Sequence, residues 1–139
     1  MNSKRIVEID ALCRSKFTYL KDKGDDWQLH VDDVKANRPW KGDCEDLAFT
    51  TMQYLYNEGV TSNHLARLMV STTNNKIIDH MVALVKDDNS KIWVVGDTNG
   101  PAYLLEAMYY SPLMISLASD GIDWKECKLH SSIIASLSK

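Results

Sequence analysis

"KGDCEDLAFTTMQYLYNEG" (residues 41–59) is the stretch that decides the fold. Ala48, Met52 and Leu55 recur at helical spacing and a glycine follows as a C-cap, so the stretch predicts a helix of about four turns. Cys44 lies at or near its first turn. A helix N-terminus favours a thiolate, whereas neighbouring carboxylates disfavour it, and Cys44 has an acid on either side. Cys44 is therefore either a nucleophile or a small buried residue in an acidic turn.

The chain around this helix predicts another helix first and strands afterwards. Residues 4–20 carry apolar side chains at helical spacing. Three apolar segments, residues 66–72, 80–86 and 91–97, are typical of strands, and the polar residues 87–90 form a turn between the last two. This order indicates an α+β fold with an antiparallel sheet.

The C-terminal part is less regular. Residues 102–119 are the most apolar stretch, but Glu106 and Pro112 argue against a membrane span and favour a buried helix broken near the proline. Residues 122–139 predict one strand and a short helix. With 139 residues in all, we expect residues 1–139 to form a single domain.

The predicted hairpin places a histidine beside an aspartate. If residues 88 and 89 are the two central turn residues, Lys86 faces Lys91 and His80 faces Asp97. Opposed residues of an antiparallel pair have Cβ atoms roughly 4.5–5.5 Å apart, close enough for a carboxylate to hold an imidazole. A slip of one residue would destroy this pairing. Together with Cys44, the pair makes a Cys–His–Asp constellation of the kind that performs nucleophilic catalysis.

Composition and charge narrow the possible functions. The net charge of −3 gives no electrostatic footprint for nucleic acid. Three widely spaced cysteines form neither a disulfide framework nor a CxxC metal site. The charged N-terminal residues lack the apolar core of a signal peptide, so we expect a reducing, cytoplasmic location. The oligomeric state is left open.

Three motifs in this order resemble a known family. "GDCED" at the helix start, "DHMVALV" and "WVVGDTNG" resemble the bacterial transglutaminase-like cysteine proteinases, a branch of the papain-like and transglutaminase-like superfamily. The resemblance implies a helix carrying Cys44, packed on a small antiparallel sheet that carries His80 and Asp97. It includes a tryptophan upstream of the cysteine, in "DDWQ" (residues 25–28). Two roles are possible for that segment. Trp27 and Gln28 line the cleft, with the Gln28 side chain as an oxyanion donor, or Trp27 is simply a core residue.

The resemblance also implies a metal. The best-known family members are periplasmic proteases that cut a large biofilm adhesin and bind calcium through the acids beside the cysteine. Here those acids are Asp43 and Glu45, and a bound cation would offset their effect on the thiolate. Calcium needs six to eight oxygen ligands, however, and acids in a first turn also act as helix caps. The chemistry itself requires no cofactor.

We therefore expect thiol-dependent acyl transfer, with Cys44 as nucleophile, His80 as base and acid, and Asp97 orienting His80. Water as the acceptor gives hydrolysis of a peptide or amide bond in a protein or peptide substrate, which the family resemblance favours. An amine acceptor gives a transglutaminase, and a deamidase uses the same triad. The alternative from another class is an inactive transglutaminase-like module that binds or regulates a partner.

Overall fold

The computed structural model describes residues 1–21, 29–121 and 123–138. The architecture is α+β, as the sequence predicts. Six strands form one sheet in the spatial order β6-β5-β4-β3-β7-β8, and every neighbouring pair is antiparallel. The strands are β3 (Leu65–Ser71), β4 (His80–Lys86), β5 (Ile92–Val95), β6 (Tyr103–Leu104), β7 (Ser111–Leu117) and β8 (Lys125–Glu126).

Helices and a second small sheet complete the fold. Strands β1 (Phe17–Tyr19) and β2 (Trp40–Gly42) pair in parallel outside the main sheet. The helices are α1 (Ser3–Ser15), α2 (Val31–Lys35), α3 (Cys44–Asn57) and α4 (His130–Ser136). Short 3-10 turns span Ser62–His64, Leu105–Ala107 and Ala118–Asp120. Among the described residues, no helix has both the length and the apolar character needed to cross a membrane.

The core lies on both faces of the central strands, because alternate side chains of a strand point to opposite faces. In β4, Met81, Ala83 and Val85 pack with apolar side chains of α1, α2 and α3. Val82 and Leu84 pack on the other face with side chains of β3, β7 and α4. Helix α3 therefore rests on the sheet through one buried face, and its first residue lies near the start of β4.

One predicted helix is shorter than expected, and another is absent. Helix α1 ends at Ser15, and residues 17–19 form β1 against β2 instead of continuing the helix to residue 20. The stretch 102–119 contains no broken α-helix but β6, a 3-10 turn and β7. Pro112 lies inside β7 where the β3–β7 register shifts between Met69 and Val70, and such an irregularity tolerates a residue that cannot donate a ladder hydrogen bond.

The predicted β4–β5 register is also wrong, by one residue. Lys86 faces Ile92 and Leu84 faces Val94. The turn between the strands has three central residues, 88–90, instead of two, and Ser90 closes it with a positive φ of 64°. The Asp87 carboxylate stabilises this turn, because its Oδ1 accepts hydrogen bonds from the backbone N–H groups of residues 89 and 91 at 2.8 and 2.9 Å. A two-residue and a three-residue turn are both compatible with "DDNS".

Candidate active site

Cys44 is the first residue of α3, and its position is fixed by a capping box. The N-cap Asp43 accepts hydrogen bonds on Oδ1 from the backbone N–H groups of Glu45 (3.0 Å) and Asp46 (3.2 Å). Asp46 in return accepts the Asp43 N–H at 3.0 Å. The cap leaves the Cys44 N–H without a hydrogen-bond partner among the described residues, and Cys44 itself is half-buried. This helix start therefore presents a thiol and a free backbone donor side by side.

The backbone segment that leads into Cys44 is held in place by a tryptophan that was not predicted as a site residue. Trp40 on β2 is buried, and its indole N–H donates to the carbonyl of Cys13 on α1 at 3.2 Å. The Phe17 ring packs against it with a centroid distance of 4.7 Å. Because β2 ends at Gly42, two residues before the thiol, this packing ties the helix start to α1 and β1.

His80 and Asp97 are in direct contact. The Nε2 atom of His80 lies 2.8 Å from Oδ1 of Asp97, and both side chains are almost completely buried, at 6% and 1% exposure. The contact forms although the register differs from the predicted one. Strand β5 ends at Val95, and Gly96 has a φ of +62°, so the side-chain alternation of the strand stops before Asp97. Asp97 thereby reaches His80 from the loop after β5.

Asp97 uses both carboxylate oxygens. Oδ1 accepts a further hydrogen bond from the Asn99 N–H at 2.9 Å, and Oδ2 accepts the hydroxyl groups of Tyr103 (2.8 Å) and Tyr110 (3.0 Å). The Tyr110 ring also stands edge-on to the His80 ring, with centroids 5.4 Å apart. Sequence reasoning missed both tyrosines, because the segment that contains them looked like a buried apolar helix.

A buried ion pair on α1 holds the loop that carries Asp97. Asp10 and Arg14 form a two-pronged pair with both N–O distances at 3.0 Å. The Asp10 carboxylate also accepts the backbone N–H groups of Gly96 (2.8 Å) and Ala102 (2.9 Å). Arg14 donates to the carbonyl of Asp97 at 2.9 Å. The sequence does carry a signal for this anchor, because Asp10 and Arg14 have i,i+4 spacing and the acid lies among the apolar positions of the helix.

The electrostatics of the pair favour a charged imidazolium. Burial by itself would lower the pKa of His80, but the hydrogen bond with Asp97 and the interaction with the Cys44 side chain outweigh it and raise this pKa to about 9. Burial would raise the pKa of Asp97, yet the hydrogen bonds from His80, the Asn99 N–H and Tyr103 outweigh it and lower the pKa. Burial beside Asp97 raises the pKa of Tyr110 to about 12, so its hydroxyl stays a donor.

Open space borders the cysteine and the histidine on two sides. One cavity of about 220 Å³ is lined by Cys44 and His80 together with Met69, Ile78 and Met81. A second, of about 310 Å³, is lined by the same two residues together with Tyr19, Thr72, Asp79, Thr98 and Asn99. Extended chain on either side of a bond at Cys44 therefore has space to lie in.

Trp27 and Gln28, which we expected to line the cleft, lie outside the described residues. The structure accordingly says nothing about their predicted roles. Their position in the sequence, shortly before α2, is all that is established.

The predicted calcium ligands fit a metal only in part. Asp43 and Glu45 supply oxygen donors of the kind calcium takes, but Asp43 already caps α3 through Oδ1. Within the described residues, no group of three or more His, Cys, Asp or Glu side chains comes together as a metal site. These residues alone do not complete the six to eight ligands of calcium. The assignment of Asp43 and Glu45 stays a prediction.

Comparison with known proteins gives a match at the level of the fold. No protein-family model and no curated protein matches the chain. Three solved structures of LapG from Legionella pneumophila match the chain in fold. One matches with a TM-score of 0.66 at 20% identity, over 97% of this chain and 74% of that one.

The other two LapG structures differ from each other in treatment. The EGTA-treated form matches with a TM-score of 0.61 at 21% identity, over 97% of this chain and 77% of that one. The calcium-bound form matches with a TM-score of 0.61 at 20% identity, over 97% of this chain and 78% of that one. The likeness shows that the chain has the papain-like, transglutaminase-like fold, with a cysteine-bearing helix on an antiparallel sheet.

Proposed function

We propose that this chain is a thiol-dependent acyl-transfer enzyme that hydrolyses peptide or amide bonds through a Cys44 thioester. The observation that carries the proposal is the placement of His80 between two partners. Its Nε2 contacts Asp97, and the Cys44 side chain, which lines two cavities together with His80, is a second group that raises the pKa of the imidazole. With Nε2 engaged, Nδ1 is the ring nitrogen that remains for the thiol.

The proposed reaction begins with a thiolate and an imidazolium. The Cys44 sulfur attacks the substrate carbonyl carbon, and the carbonyl oxygen takes up the negative charge. The Cys44 backbone N–H, left free by the capping box, donates to that oxygen. His80 gives its proton to the leaving nitrogen, the C–N bond breaks, and an acyl thioester and a free amine result.

The second half releases the acyl group. His80, now neutral, takes a proton from water while the water oxygen attacks the thioester carbonyl carbon. The C–S bond breaks, the sulfur leaves as thiolate, and the product is a carboxylic acid. Asp97 stays ionised throughout, since its hydrogen bonds lower its pKa, and it orients the imidazole and stabilises its charged form.

Support for hydrolysis over other acceptors comes from the family resemblance of "GDCED", "DHMVALV" and "WVVGDTNG" and from the likeness to LapG in fold. An amine acceptor would follow the same first half-reaction, so the triad alone does not choose between water and an amine. The resemblance to the bacterial transglutaminase-like cysteine proteinases favours water and a protein or peptide substrate.

The test is digestion of a denatured protein mixture with wild type, Cys44→Ala and Cys13→Ala, read by mass spectrometry of new termini. Cys13 is a matched control because it is a fully buried thiol whose pKa burial raises to about 12. We expect new termini with wild type and Cys13→Ala and none with Cys44→Ala. Addition of a primary amine reports the acceptor, because a transglutaminase would yield amine-modified products. New termini that persist in Cys44→Ala would contradict the proposal.

A further inference from the structure

The cation of Arg67 is buried in the middle of β3 and has no acidic partner among the described residues. Arg67 is 3% exposed, and among the described residues no carboxylate forms an ion pair with it. Its Nη2 donates to two neutral oxygens of the described residues, the Ser116 hydroxyl at 3.0 Å and the Gly121 carbonyl at 3.3 Å. Its Nε is buried and has no hydrogen-bond partner within the described part of the chain. Buried charges are ordinarily paired, so this one is exceptional.

Two aromatic rings hold the guanidinium in place without neutralising it. Its central carbon lies 4.4 Å from the Phe49 ring centroid and 5.2 Å from that of Trp124. Burial lowers the pKa of Arg67, but a guanidinium stays charged at any physiological pH. The rings fix its orientation, and the positive charge remains for an anion to meet.

The guanidinium borders an open cavity of about 460 Å³. One wall is the side of α3 that carries Phe49, Met52 and Gln53, and the other is formed by Ala118 and Ser119 after β7. Arg67 Nη1 makes no hydrogen bond to the described residues and, unlike Nε, is not among the buried atoms that lack a partner, so Nη1 is the guanidinium nitrogen available to a ligand.

This cavity lies beside the thiol. Arg67 and Met69 are two residues apart on β3 and so point to the same face, about 7 Å apart along the strand. Met69 lines the cavity that contains Cys44 and His80. Phe49 lies five residues after Cys44 on α3, about 7.5 Å along the helix. An extended peptide covers either separation with roughly two residues, so a subsite in this cavity lies a few residues from a bond held at Cys44.

We propose that the Arg67 cavity is a specificity subsite that binds the carboxylate of a Glu or Asp side chain in the peptide substrate, a few residues from the scissile bond. The inference rests on the proposed function, because it places the subsite relative to Cys44. The carboxylate accepts a charge-assisted hydrogen bond from Nη1 and supplies the missing counter-charge. The apolar α3 wall contacts the methylene groups of the same side chain.

The test measures binding without turnover. Two matched sets of capped heptapeptides, with Glu or Gln fixed at each position in turn, are selected on the Cys44→Ala protein and read by mass spectrometry. At one position we expect Glu to be enriched over Gln by about tenfold to hundredfold, the effect of one hydrogen bond to a charged group. Arg67→Met should abolish this preference. The substitution should fold, because it replaces an unpaired buried cation with an apolar side chain of similar length.

Controls separate this inference from a purely structural role. Arg38→Met removes an exposed arginine and should leave the Glu preference intact. A preference that survives Arg67→Met, or equal selection of Glu and Gln at every position, would overturn the proposal. Competition by inorganic phosphate with no enrichment of Glu peptides would also overturn it, since the cavity would then be a site for small anions.

The two proposals fail separately. Cleavage by wild type that depends on Cys44 but shows no Glu preference would overturn the subsite and leave the proposed function standing. Selection of Glu peptides that depends on Arg67, with no Cys44-dependent cleavage, would support the subsite as a binding site and count against the proposed function.

Discussion

Asp10, in the third turn of α1, accepts the backbone N–H of Gly96 at 2.8 Å, one residue before the aspartate that holds His80. The N-terminal helix thereby fixes the position of a loop far away in the sequence. The same carboxylate binds Arg14 and the Ala102 N–H, so it anchors both ends of the loop. A buried acid outside the proposed triad thus holds the loop that carries Asp97.

Replacing Asp10 should loosen the loop that carries Asp97. Asp10→Asn leaves an amide N–H₂ facing at least one backbone donor and removes the charge that pairs with Arg14. Loss of one partner of a buried ion pair costs about 3–5 kcal/mol of unfolding free energy. Chemical denaturation measures the cost, and Glu8→Gln, an exposed acid on the same helix, should stay within about 0.5 kcal/mol of wild type. Unchanged stability of Asp10→Asn would contradict the anchoring role.

Gly96 should tolerate no side chain. At its φ of +62°, an added Cβ would lie 2.9 Å from Cα of Ala48 on α3, and backbone cannot easily move away. Gly121→Ala is the matched control, because Gly121 has a φ of +76° but nothing within 4 Å of the added carbon. We expect about 1–2 kcal/mol of destabilisation for the control and about 1–3 kcal/mol more for Gly96→Ala. Equal losses in thermal unfolding would show that the contact with α3 does not matter.

The elements nearest the thiol follow from local patterns. The cap signal before the apolar face of α3 and the apolar run of β4 depend on adjacent residues. Cys44 lies in the first turn of α3, and β4 begins at His80, as predicted. The predicted contact between His80 and Asp97 is present, but not through the predicted register. A three-residue turn shifts the ladder, and the positive φ of Gly96 restores the contact; neither effect is visible in residue spacing.

Contacts between residues far apart in the sequence could not be predicted from local patterns. Tyr103 and Tyr110 meet Asp97 because β6 and the segment before β7 fold back beside β5 and β3, which a misread helix over 102–119 concealed. The unpaired charge of Arg67 becomes visible only when the opposing strand and helix α3 are in place. An arginine in an apolar strand pattern is otherwise typical of an exposed edge.

His80 should titrate far from an ordinary histidine. Its pKa of about 9 means that the ring is an imidazolium at pH 7 and loses its proton only as the pH rises through about 9. In Asp97→Asn the strongest opposing interaction is lost, so burial should bring the pKa below the usual 6.5. Imidazole NMR resonances measured against pH give both values. Asp33→Asn, which changes the partner of His30, should leave His80 unaffected, and an ordinary His80 pKa in wild type would contradict the ion-pair account.

The predicted calcium ligands can be tested apart from the helix cap. If Asp43 and Glu45 bind calcium, an ion concentration of 100 times Kd adds about 2.7 kcal/mol to the unfolding free energy, relative to chelator. Glu45→Gln should remove this increment, whereas Glu8→Gln should keep it. Asp43→Ala is less informative, because the loss of an N-cap costs about 1 kcal/mol with or without metal. Identical unfolding curves in calcium and chelator would refute the assignment and leave the triad untouched.

The most direct test of the central claim is the rate at which iodoacetamide alkylates Cys44 in wild type and in His80→Ala, read at each cysteine by mass spectrometry between pH 6 and 10. Cys13 and Cys127 are buried and therefore poor comparators, so His64→Ala serves as the control for loss of a histidine. The account predicts that near neutral pH Cys44 reacts about tenfold or more faster in wild type and His64→Ala than in His80→Ala, with the difference closing at high pH. Equal rates in all three proteins at neutral pH would mean that His80 does not activate the thiol.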